Sequence, residues 1–324
     1  MKGLKVAVLR GGPSAEYEVS LQTGSSVLIT LEQSGFAVRD IVISRHGVWL
    51  VDGFPIQPHT ALEGVDVAFL ALHGEYGEDG GVQRMLERFC VPYTGSEPYP
   101  SAIAMNKVLT KDHIQPHGVR TAKHMLIRRS GRPDPVDTAY GINELFGPQF
   151  FVKPLRGGSS IDTQVALNVG QLAQVLTSLL QKYDDILVEE RIIGREATVG
   201  ILEDFRGERC YTMPVIEIRP PATNAFFDYT SKYNGSTEEI CPGNFTASER
   251  KALQSAALTV HKTLGLRHYS RSDFIVTPDG PVFLEVNTLP GLTTESLFPK
   301  AVDAVGSSYQ ELIRHLLQLA LRNI

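Results

Sequence analysis

Apolar residues alternate with other residues between positions 282 and 287, and this period of two predicts a β-strand. Residues 269–277 form a second run of the same character. Pro278-Asp279-Gly280 lies between the two runs and is typical of a hairpin turn, because glycine tolerates a left-handed backbone. The pattern therefore predicts an antiparallel hairpin near the end of the chain.

The register of this hairpin decides which polar side chains share a face. With all three turn residues in the loop, Asp273 pairs with Glu285. Arg271 and Asn287 then lie on the same face, whereas a two-residue loop would send one strand's set to the other face. Facing carboxylates repel each other unless a cation lies between them, and carboxylate and amide oxygens suit a hard cation. We predict a three-residue loop and a metal site, with ordinary solvated strand charges as the alternative.

The remaining pattern predicts an α/β fold with one long loop. Residues 6–9 are apolar throughout, as in a buried parallel strand. Residues 226–235 are both polar and aromatic, and a loop of this length predicts a functional lid. Further strands are predicted at residues 37–43, 65–72, 150–154, 161–167, 186–193, 197–201 and 211–218, and helices at residues 16–35, 101–115, 168–183, 248–264 and 309–321.

Two polar side chains follow the ends of apolar strands in the first third of the chain. Glu16 comes after a glycine turn and after Ser14, which is a candidate helix N-cap. His73 comes directly after the strand at residues 65–72. Ligands of open α/β sheets gather at the carboxyl ends of strands, so both side chains could face one cleft. An ordinary strand-to-helix turn is the alternative for His73.

A lysine inside an apolar strand precedes a glycine- and serine-rich loop. Lys153 lies in the strand at residues 150–154, and the loop follows at residues 155–160. Backbone N–H groups and hydroxyls in such a loop can bind phosphate, with the lysine as a point charge. The loop does not match the Walker pattern, and an ordinary hairpin turn is the alternative.

Composition narrows the class of protein. The length of 324 residues predicts two domains or three small ones, and a net charge of −5 argues against a dedicated nucleic-acid binder. The 3 cysteines are widely spaced and form no CxxC pair, which favours a reducing compartment over a disulfide framework or a zinc site. We see no signal peptide and no apolar run long enough for a bilayer, and therefore expect a cytoplasmic location.

The order of the motifs resembles the D-alanine–D-alanine ligase family of the ATP-grasp superfamily. The resemblance covers almost the whole chain, and its motifs are specific as an ordered set. They occur at residues 11–16 and 18–20, at residues 73–74 and 77–80, at residues 227–229 and 232–233, and at residues 284–287 and 290–291.

This resemblance implies an ATP-grasp fold of α/β modules that joins two D-alanine molecules for peptidoglycan precursor synthesis. It implies an N-terminal parallel-sheet domain at residues 1–96, a central domain at residues 97–185 and a C-terminal catalytic domain at residues 186–324. ATP would bind between the last two with Mg²⁺, or Mn²⁺, as two ions. The partners would be D-alanine and ATP, without nucleic acid or membrane, and a homodimer stays open.

The resemblance also implies a role for each matching residue. The groups that act on the substrates during catalysis would be Glu16, Ser159, Tyr233, Arg271 and Gly291. His73, Lys232 and Ser296 would bind substrate. The ATP contacts would be Lys107, Lys153, Ser160, Glu189, Glu190, Ile192 and Glu196. Asp273, Glu285 and Asn287 would bind the metal.

Departures from the family pattern keep other functions open. Asp162 stands where the family commonly has glycine, and its charge would repel ATP unless it is paired or points away. We expect that Asp162→Gly then lowers the Michaelis constant for ATP. Gly157 replaces an acid in the same loop. The alternatives are another ATP-grasp carboxylate–amine ligase, a ligase of the D-alanyl-D-lactate type, and an ATP-binding relative with impaired catalysis.

Overall fold

The computed structural model of the chain describes residues 3–156, 162–220 and 237–322. They form three β-sheets with helices packed against them. Within these ranges no helix is long and apolar enough to cross a bilayer. The expected lid at residues 226–235 lies outside the described ranges. So do Gly157 and four expected site residues, namely Ser159, Ser160, Lys232 and Tyr233.

The N-terminal part forms a five-stranded sheet. Its elements are β1 (Lys5–Gly11), α1 (Tyr17–Gln33), β2 (Ala37–Ile43), β3 (Trp49–Val51), β4 (Phe54–Pro55), α2 (Pro58–Ala61), β5 (Val67–Leu70) and α3 (Gly81–Arg88). The strand order is β4-β3-β2-β1-β5, and β1 runs parallel to both β2 and β5. Because β1 and β5 are parallel neighbours, the loops after them leave the same edge of the sheet.

The central part forms a four-stranded antiparallel sheet. Its elements are β6 (His124–Arg128), α6 (Pro135–Phe146), β7 (Phe150–Pro154), β8 (Gln164–Ala166), α7 (Val169–Lys182) and β9 (Asp185–Glu190). The order is β6-β9-β7-β8, and a separate apolar core lies between this sheet and the two helices. β9 pairs with β6 and β7, so this sheet continues past the predicted domain boundary at residue 185.

The third sheet has six antiparallel strands. Its strands are β10 (Arg195–Phe205), β11 (Glu208–Thr212), β12 (Ile216–Arg219), β13 (Glu238–Ile240), β14 (Tyr269–Thr277) and β15 (Gly280–Asn287), and the other helices are α4 (Pro98–Met105), α5 (Lys107–Ile114), α8 (Ala247–Thr263), α9 (Leu297–Ala304) and α10 (Tyr309–Arg322). The order is β13-β12-β10-β14-β15, and β11 pairs with β10. α10 returns to pack against α1 and β5, so the last helix contributes to the core of the first sheet.

One predicted helix is two helices. The apolar pattern predicted a single helix at residues 101–115, whereas α4 ends at Met105 and α5 begins at Lys107. Asn106 between them has an extended backbone, and its side chain accepts hydrogen bonds from the N–H groups of Val108 and Leu109 at 3.1 Å each. This N-cap starts a new helix and fixes the direction of Lys107.

The β14–β15 hairpin has the predicted pairing but not the predicted turn. Thr277 pairs with Gly280, so the loop has two residues, and the three-residue prediction was wrong. The register then shifts between Asp273 and Phe274, where β15 carries an extra residue, and Asp273 pairs with Glu285 after all. A β-bulge therefore restores the alignment that the shorter turn would have broken.

Candidate active site

Asp273 lies at the centre of a hydrogen-bond network on this hairpin. Its Oδ1 accepts from Arg271 Nε at 3.0 Å and from Thr198 Oγ1 at 2.5 Å. Its Oδ2 accepts from Arg271 Nη2 at 3.1 Å and from Asn287 Nδ2 at 3.4 Å. Four donors match the four lone-pair positions of a carboxylate. The guanidinium of Arg271 is thus oriented by a two-point contact.

Glu285 faces a cleft between the hairpin, the N-terminal loops and α5. Its Oε2 lies 4.0 Å from Lys107 Nζ. The cleft is also lined by Glu16 and Asn287. The structure therefore brings four of the predicted site residues together from distant parts of the chain.

Glu189 on β9 is buried between two lysines, one on β7 and one on α5. Lys153 Nζ lies 2.8 Å from one of its carboxylate oxygens, and Lys111 Nζ contacts the other. Burial alone would raise the pKa of Glu189, but the two ammonium groups lower it to about 2. Burial lowers the pKa of Lys111, against the charges of Glu189 and Glu190. The Lys153 side chain is 9% exposed and that of Lys111 is 1% exposed, so Lys153 is the one that can meet an anion.

His73 uses both ring nitrogens inside the protein. Nδ1 lies 2.9 Å from the carbonyl oxygen of Leu289, which can only accept, so Nδ1 carries the proton. Nε2 then accepts from Thr23 Oγ1 at 2.9 Å. Burial lowers the pKa of His73, against the attraction of Glu16, so the ring is neutral. His73 therefore connects the end of β5 to the loop after β15 with its single N–H.

Glu16 lies beside His73 at the same edge of the first sheet, as predicted. A Cβ added to Gly74 would lie only 2.7 Å from Glu16 Oε2, which shows how closely the two loops approach. Ser14 Oγ donates to the carbonyl of His73 at 2.6 Å and accepts from the N–H of Glu16 at 3.1 Å. The predicted N-cap role of Ser14 was wrong, because Glu16 occupies the N-cap position of α1.

Glu78 is a buried carboxylate that sequence reasoning did not single out. Its Oε2 accepts from the N–H groups of Thr288 and Leu289 at 2.8 and 2.9 Å and from Thr288 Oγ1 at 3.2 Å. Its Oε1 accepts from the N–H of Gly74 at 3.0 Å. Burial and the charge of Glu16 raise the pKa of Glu78 to about 7. Glu78 fixes the start of the loop that leads to Gly291.

Gly291 and Ser296 are neighbours in this loop. A Cβ on Gly291 would lie 2.9 Å from Ser296 Oγ, so a larger residue would displace the hydroxyl. Ser296 Oγ accepts from the N–H of Thr293 at 3.1 Å and lies 2.8 Å from Thr293 Oγ1. Ser296 occupies the N-cap position of α9 without a side-chain capping bond. The hydroxyl is therefore positioned by Thr293 beside the Gly291 backbone.

The predicted adenine and ribose contacts lie on the segment that joins the central and third sheets. Glu190 Oε1 accepts from the N–H of Lys123 at 2.8 Å, so this carboxylate organises the backbone of its own sheet. Ile192 is half-buried in the following loop, and Glu196 lies between Ile218 and Ile275 on β10. Their roles toward ATP stay predictions.

Asp162 is paired. Its Oδ2 accepts from Tyr183 Oη at 2.6 Å, and Lys182 Nζ lies 3.4 Å from each carboxylate oxygen. The hydrogen bond from Tyr183 and the charge of Lys182 lower the pKa of Asp162. Its φ of 53° lies in the left-handed region, which explains why glycine suits this position. The pairing weakens the predicted repulsion of ATP.

Three contributors to the site were not predicted, namely Lys111, Glu78 and Thr198. Lys111 lies four residues after Lys107 on one helix, so the spacing alone would have put both on one face. Glu78 lay inside a motif and carried no sign of burial. Thr198 gave no signal, because its contact with Asp273 depends on the pairing of β10 with β14.

The sequence matches two family profiles. One is described as the D-ala D-ala ligase N-terminus and matches residues 51–96. The other is described as the D-ala D-ala ligase C-terminus and matches residues 114–318. A curated D-alanine–D-alanine ligase of Geobacter sulfurreducens is 39% identical over 320 residues, which cover 98% of this chain and 94% of that protein.

Solved structures are similar over the same length. The crystal structure of the VanG D-Ala:D-Ser ligase from Enterococcus faecalis has a TM-score of 0.84 at 30% identity and covers 98% of this chain and 100% of that chain. The D-alanine–D-alanine ligase from Bacillus anthracis complexed with ATP has a TM-score of 0.79 at 28% identity, with 99% and 98% covered.

Proposed function

Since this chain belongs to the D-alanine–D-alanine ligase family and has its ATP-grasp fold, we infer that it converts two D-alanine molecules and ATP into D-alanyl-D-alanine, ADP and phosphate. The enzyme is an ADP-forming carbon–nitrogen ligase that makes a peptidoglycan precursor. The observation that best supports this chemistry is the single cleft shared by Glu16, Lys107, Glu285 and Asn287. In this cleft, the carboxylate of Glu16 can bind a substrate ammonium group. Lys107 is suited to phosphate, and the oxygens of Glu285 and Asn287 are suited to a metal ion.

The reaction needs activation of a carboxylate. A free carboxylate is a poor acylating agent, so the γ-phosphate of ATP passes first to the carboxylate of one D-alanine. The amine of the second D-alanine then attacks that carbonyl carbon and loses a proton, and phosphate leaves with the electrons of the broken C–O bond. Both steps concentrate negative charge, which positive groups and N–H donors stabilise.

We assign the oxyanion of the second step to Arg271 and the backbone N–H of Gly291. Arg271 is pre-oriented by Asp273 and therefore needs little rearrangement. Gly291 follows a loop whose start is bound by Glu78. Glu16 would bind the ammonium group of the first D-alanine from the edge of the first sheet.

The proposed role of His73 is positioning. The resemblance implied that His73 lies near the carboxylate of the first substrate. Its only N–H is already accepted by Leu289. We therefore propose that His73 acts by fixing the loop that leads to Gly291, together with Glu78, and not by donating a proton to substrate.

Four further roles fall partly outside the described residues. Ser159 and Tyr233 would join Glu16 in a hydrogen-bonded set that closes the lid and helps to deprotonate the second amine. Lys232 and Ser296 would meet the second carboxylate or the transferred phosphate. Tyr233 in a Lys-Tyr pair resembles the dipeptide-forming type of ligase, whereas relatives that make D-alanyl-D-lactate tend to alter the lid.

We propose that the ATP phosphates meet Lys107, Lys153 and Ser160. The assignment of Lys153 is supported by its side chain, which is the more exposed of the two lysines that contact Glu189. Because both oxygens of Glu189 are occupied by lysines, any contact of this residue with adenine would come from its backbone. Glu190, Ile192 and Glu196 complete the proposed adenine and ribose contacts.

The residues of the hairpin fit Mg²⁺, or Mn²⁺, by donor type, because Asp273, Glu285 and Asn287 offer oxygens to a hard cation. Bound there, two ions would neutralise phosphate charge. All four lone-pair positions of Asp273 are filled by protein donors, and the longest contact is the one from Asn287 Nδ2 at 3.4 Å. We propose that the Asn287 amide turns its oxygen toward the metal and gives up this contact.

D-serine is the second candidate acceptor, because the similar VanG structure is a D-Ala:D-Ser ligase. D-lactate is a further alternative. The test incubates the purified protein with ATP, Mg²⁺, D-alanine and each acceptor, and identifies products by mass spectrometry. We expect D-alanyl-D-alanine with phosphate release. Calorimetric ATP binding without any product, alongside an active control ligase, would instead identify an ATP-binding protein without catalysis.

The organisation around the reaction is also a proposal. We propose domains at residues 1–96, 97–185 and 186–324, and a cytoplasmic location where ATP is supplied. A homodimer stays a prediction that light scattering can test. Limited proteolysis would test the boundaries. Cleavage between residues 185 and 190 would fall inside β9, the strand that pairs with β6 and β7 in the central sheet.

A further inference from the structure

A mixed group of side chains lies on the third sheet, away from the proposed active site. Glu203 on β10 pairs directly with Cys210 on β11, so their side chains share a face. α8 packs against both strands and contributes His261. One ligand atom from each residue lies within 4.8 Å of the others. The group is five residues along β10 from Thr198, which corresponds to about 17 Å at about 3.4 Å per residue.

The two oxygens of Glu203 have different surroundings. Oε2 accepts from the N–H of His268 at 2.6 Å, which fixes the carboxylate. Oε1 points toward His261 Nε2 at 3.5 Å. Oε2 is thus occupied by the backbone of His268, and Oε1 faces His261.

His261 is oriented and incompletely satisfied. The ring is 1% exposed, and its Nδ1 lies 2.8 Å from Ser270 Oγ. Its Nε2 makes no hydrogen bond of ordinary geometry within the three described ranges, and it lies 3.5 Å from Glu203 Oε1. A buried polar atom without a hydrogen bond is rare and calls for an explanation. A hydrogen bond at the far nitrogen is the usual support of a metal-binding histidine.

The donor set selects the class of ion. Zinc binds sulfur at about 2.3 Å and nitrogen or oxygen at about 2.0–2.2 Å in tetrahedral geometry, so neighbouring donors are about 3.3–3.7 Å apart. The observed 3.5 Å between His261 Nε2 and Glu203 Oε1 fits that separation. Thiolate and imidazole favour zinc-like transition metals, whereas Mg²⁺ prefers oxygen ligands alone.

We propose that Glu203, Cys210 and His261 bind one zinc-like divalent transition-metal ion, at a site distinct from the Mg²⁺ site of the reaction. The Cys210 thiol loses its proton to solvent as the metal–sulfur bond forms, and the histidine binds as the neutral ring. The charge of the ion is then balanced by one thiolate and one carboxylate. Cys210 is half-buried, which leaves a route for the ion and a fourth position for water. The ion would join the β10–β11 hairpin to α8.

Cobalt(II) provides a test that the active site cannot imitate. A thiolate bound to Co²⁺ gives a charge-transfer band in the near ultraviolet, and the Mg²⁺ ligands of the reaction have no sulfur. The full-length protein is titrated with Co²⁺ alone. We expect a thiolate band that saturates at one equivalent and is bleached by Zn²⁺.

Variants identify the ligands. Cys210→Ser should abolish the band, and Glu203→Gln should weaken Co²⁺ binding by about tenfold or more. Cys241→Ser is the matched control, because it removes another half-buried thiol, and it should leave the band unchanged. Unfolding temperatures in chelator show whether each variant is folded. The absence of a band in the wild-type protein, a band retained in Cys210→Ser, or a band lost in Cys241→Ser would overturn the proposal.

Discussion

Glu78 and Thr288 are joined by a hydrogen bond of 2.8 Å from the backbone N–H of Thr288 to the Glu78 carboxylate, although they are 210 positions apart in the chain. The same oxygen binds the next N–H, that of Leu289, at 2.9 Å. His73 makes a further contact with Leu289 from the same side. The loop that presents Gly291 is thus held from the edge of the first sheet, so changes in that sheet should alter the chemical step.

We expect Glu78→Gln to lower kcat by about tenfold to a hundredfold, because a hydrogen bond to a charged group contributes about 1.5–3 kcal/mol. In Glu78→Gln, the side-chain amide would place its NH2 group against one of the backbone N–H groups that now donate a hydrogen bond to the Glu78 carboxylate. Phosphate release at saturating D-alanine and ATP measures the effect. The exposed neighbour Glu75 supplies the matched control, and Glu75→Gln should keep wild-type kcat. Equal kcat values in Glu78→Gln and Glu75→Gln would show that Glu78 does not influence the loop that presents Gly291.

Activity should depend on pH through the same carboxylate. Burial first, and then the charge of Glu16, raise the pKa of Glu78 from 4.5 to about 7. The ionised form accepts all its hydrogen bonds, so kcat should rise as pH increases through about 7. Stability should change in the opposite direction, since a raised pKa in the folded state contributes stability below 4.5 that is lost as pH rises toward 7. The limb of the kcat profile near pH 7 should disappear in Glu78→Gln, and its persistence would assign it to another group.

We expect Lys153→Met to raise the Michaelis constant for ATP by about tenfold or more, because a charge-assisted contact with phosphate is lost. Initial rates at varied ATP concentration give the value. Lys251→Met removes an exposed lysine of α8 and should leave the constant unchanged. Because Lys153 also pairs with Glu189, the unfolding temperature of both variants should be measured. A well-folded Lys153→Met protein with a normal constant would contradict the phosphate role.

Glu285→Gln should abolish turnover, or reduce it by at least about a hundredfold, because metal ions contribute several kcal/mol to transition states of this charge. The measurement is phosphate release across a range of Mg²⁺ concentrations. Asp279 in the exposed turn of the same hairpin offers a control, and Asp279→Asn should behave as wild type. Wild-type turnover of Glu285→Gln at low Mg²⁺ would remove Glu285 from the metal site.

The pairing of Asp162 changes the expectation for Asp162→Gly. Since Tyr183 and Lys182 already bind this carboxylate, removing it should leave the Michaelis constant for ATP within about twofold of wild type. Tyr183→Phe serves as the companion variant, because it frees the carboxylate without removing its charge. A lower constant in Asp162→Gly would mean that the repulsion predicted from sequence persists despite the pairing.

Local patterns predicted most of the elements that frame the site. The apolar runs gave β1, β2 and β7, because periodicity depends only on nearby residues. The predicted pairing of Asp273 with Glu285 is present, but it depended on a three-residue turn and holds only because of the bulge in β15. The break at Asn106 was missed, although its capping side chain is a sequence signal, because the apolar spacing continues across it. β6 and α6 were not predicted, although Asp134 as N-cap and Pro135 in the first turn are sequence signals for the start of α6.

The contacts that determine the protonation states of buried side chains could not be predicted from local patterns. The pairing of Glu189 with Lys111 and Lys153 joins a helix to two strands, and Glu78 receives hydrogen bonds from the other end of the chain. Residue type alone made Lys111 look like an ordinary surface lysine. Only the folded arrangement shows that it is buried and that its partner has a lowered pKa.

The bulge in β15 lies between the turn of the hairpin and the paired residues Asp273 and Glu285. One extra residue, Leu284, absorbs the difference between a two-residue turn and the alignment of Asp273 with Glu285. Without the bulge, the two-residue turn would pair Asp273 with Leu284 and send Glu285 to the opposite face of the sheet, whereas deleting Leu284 would give a regular ladder in which Asp273 and Glu285 still pair. The alignment of the two acids therefore depends on the bulge rather than on the turn at the tip of the hairpin.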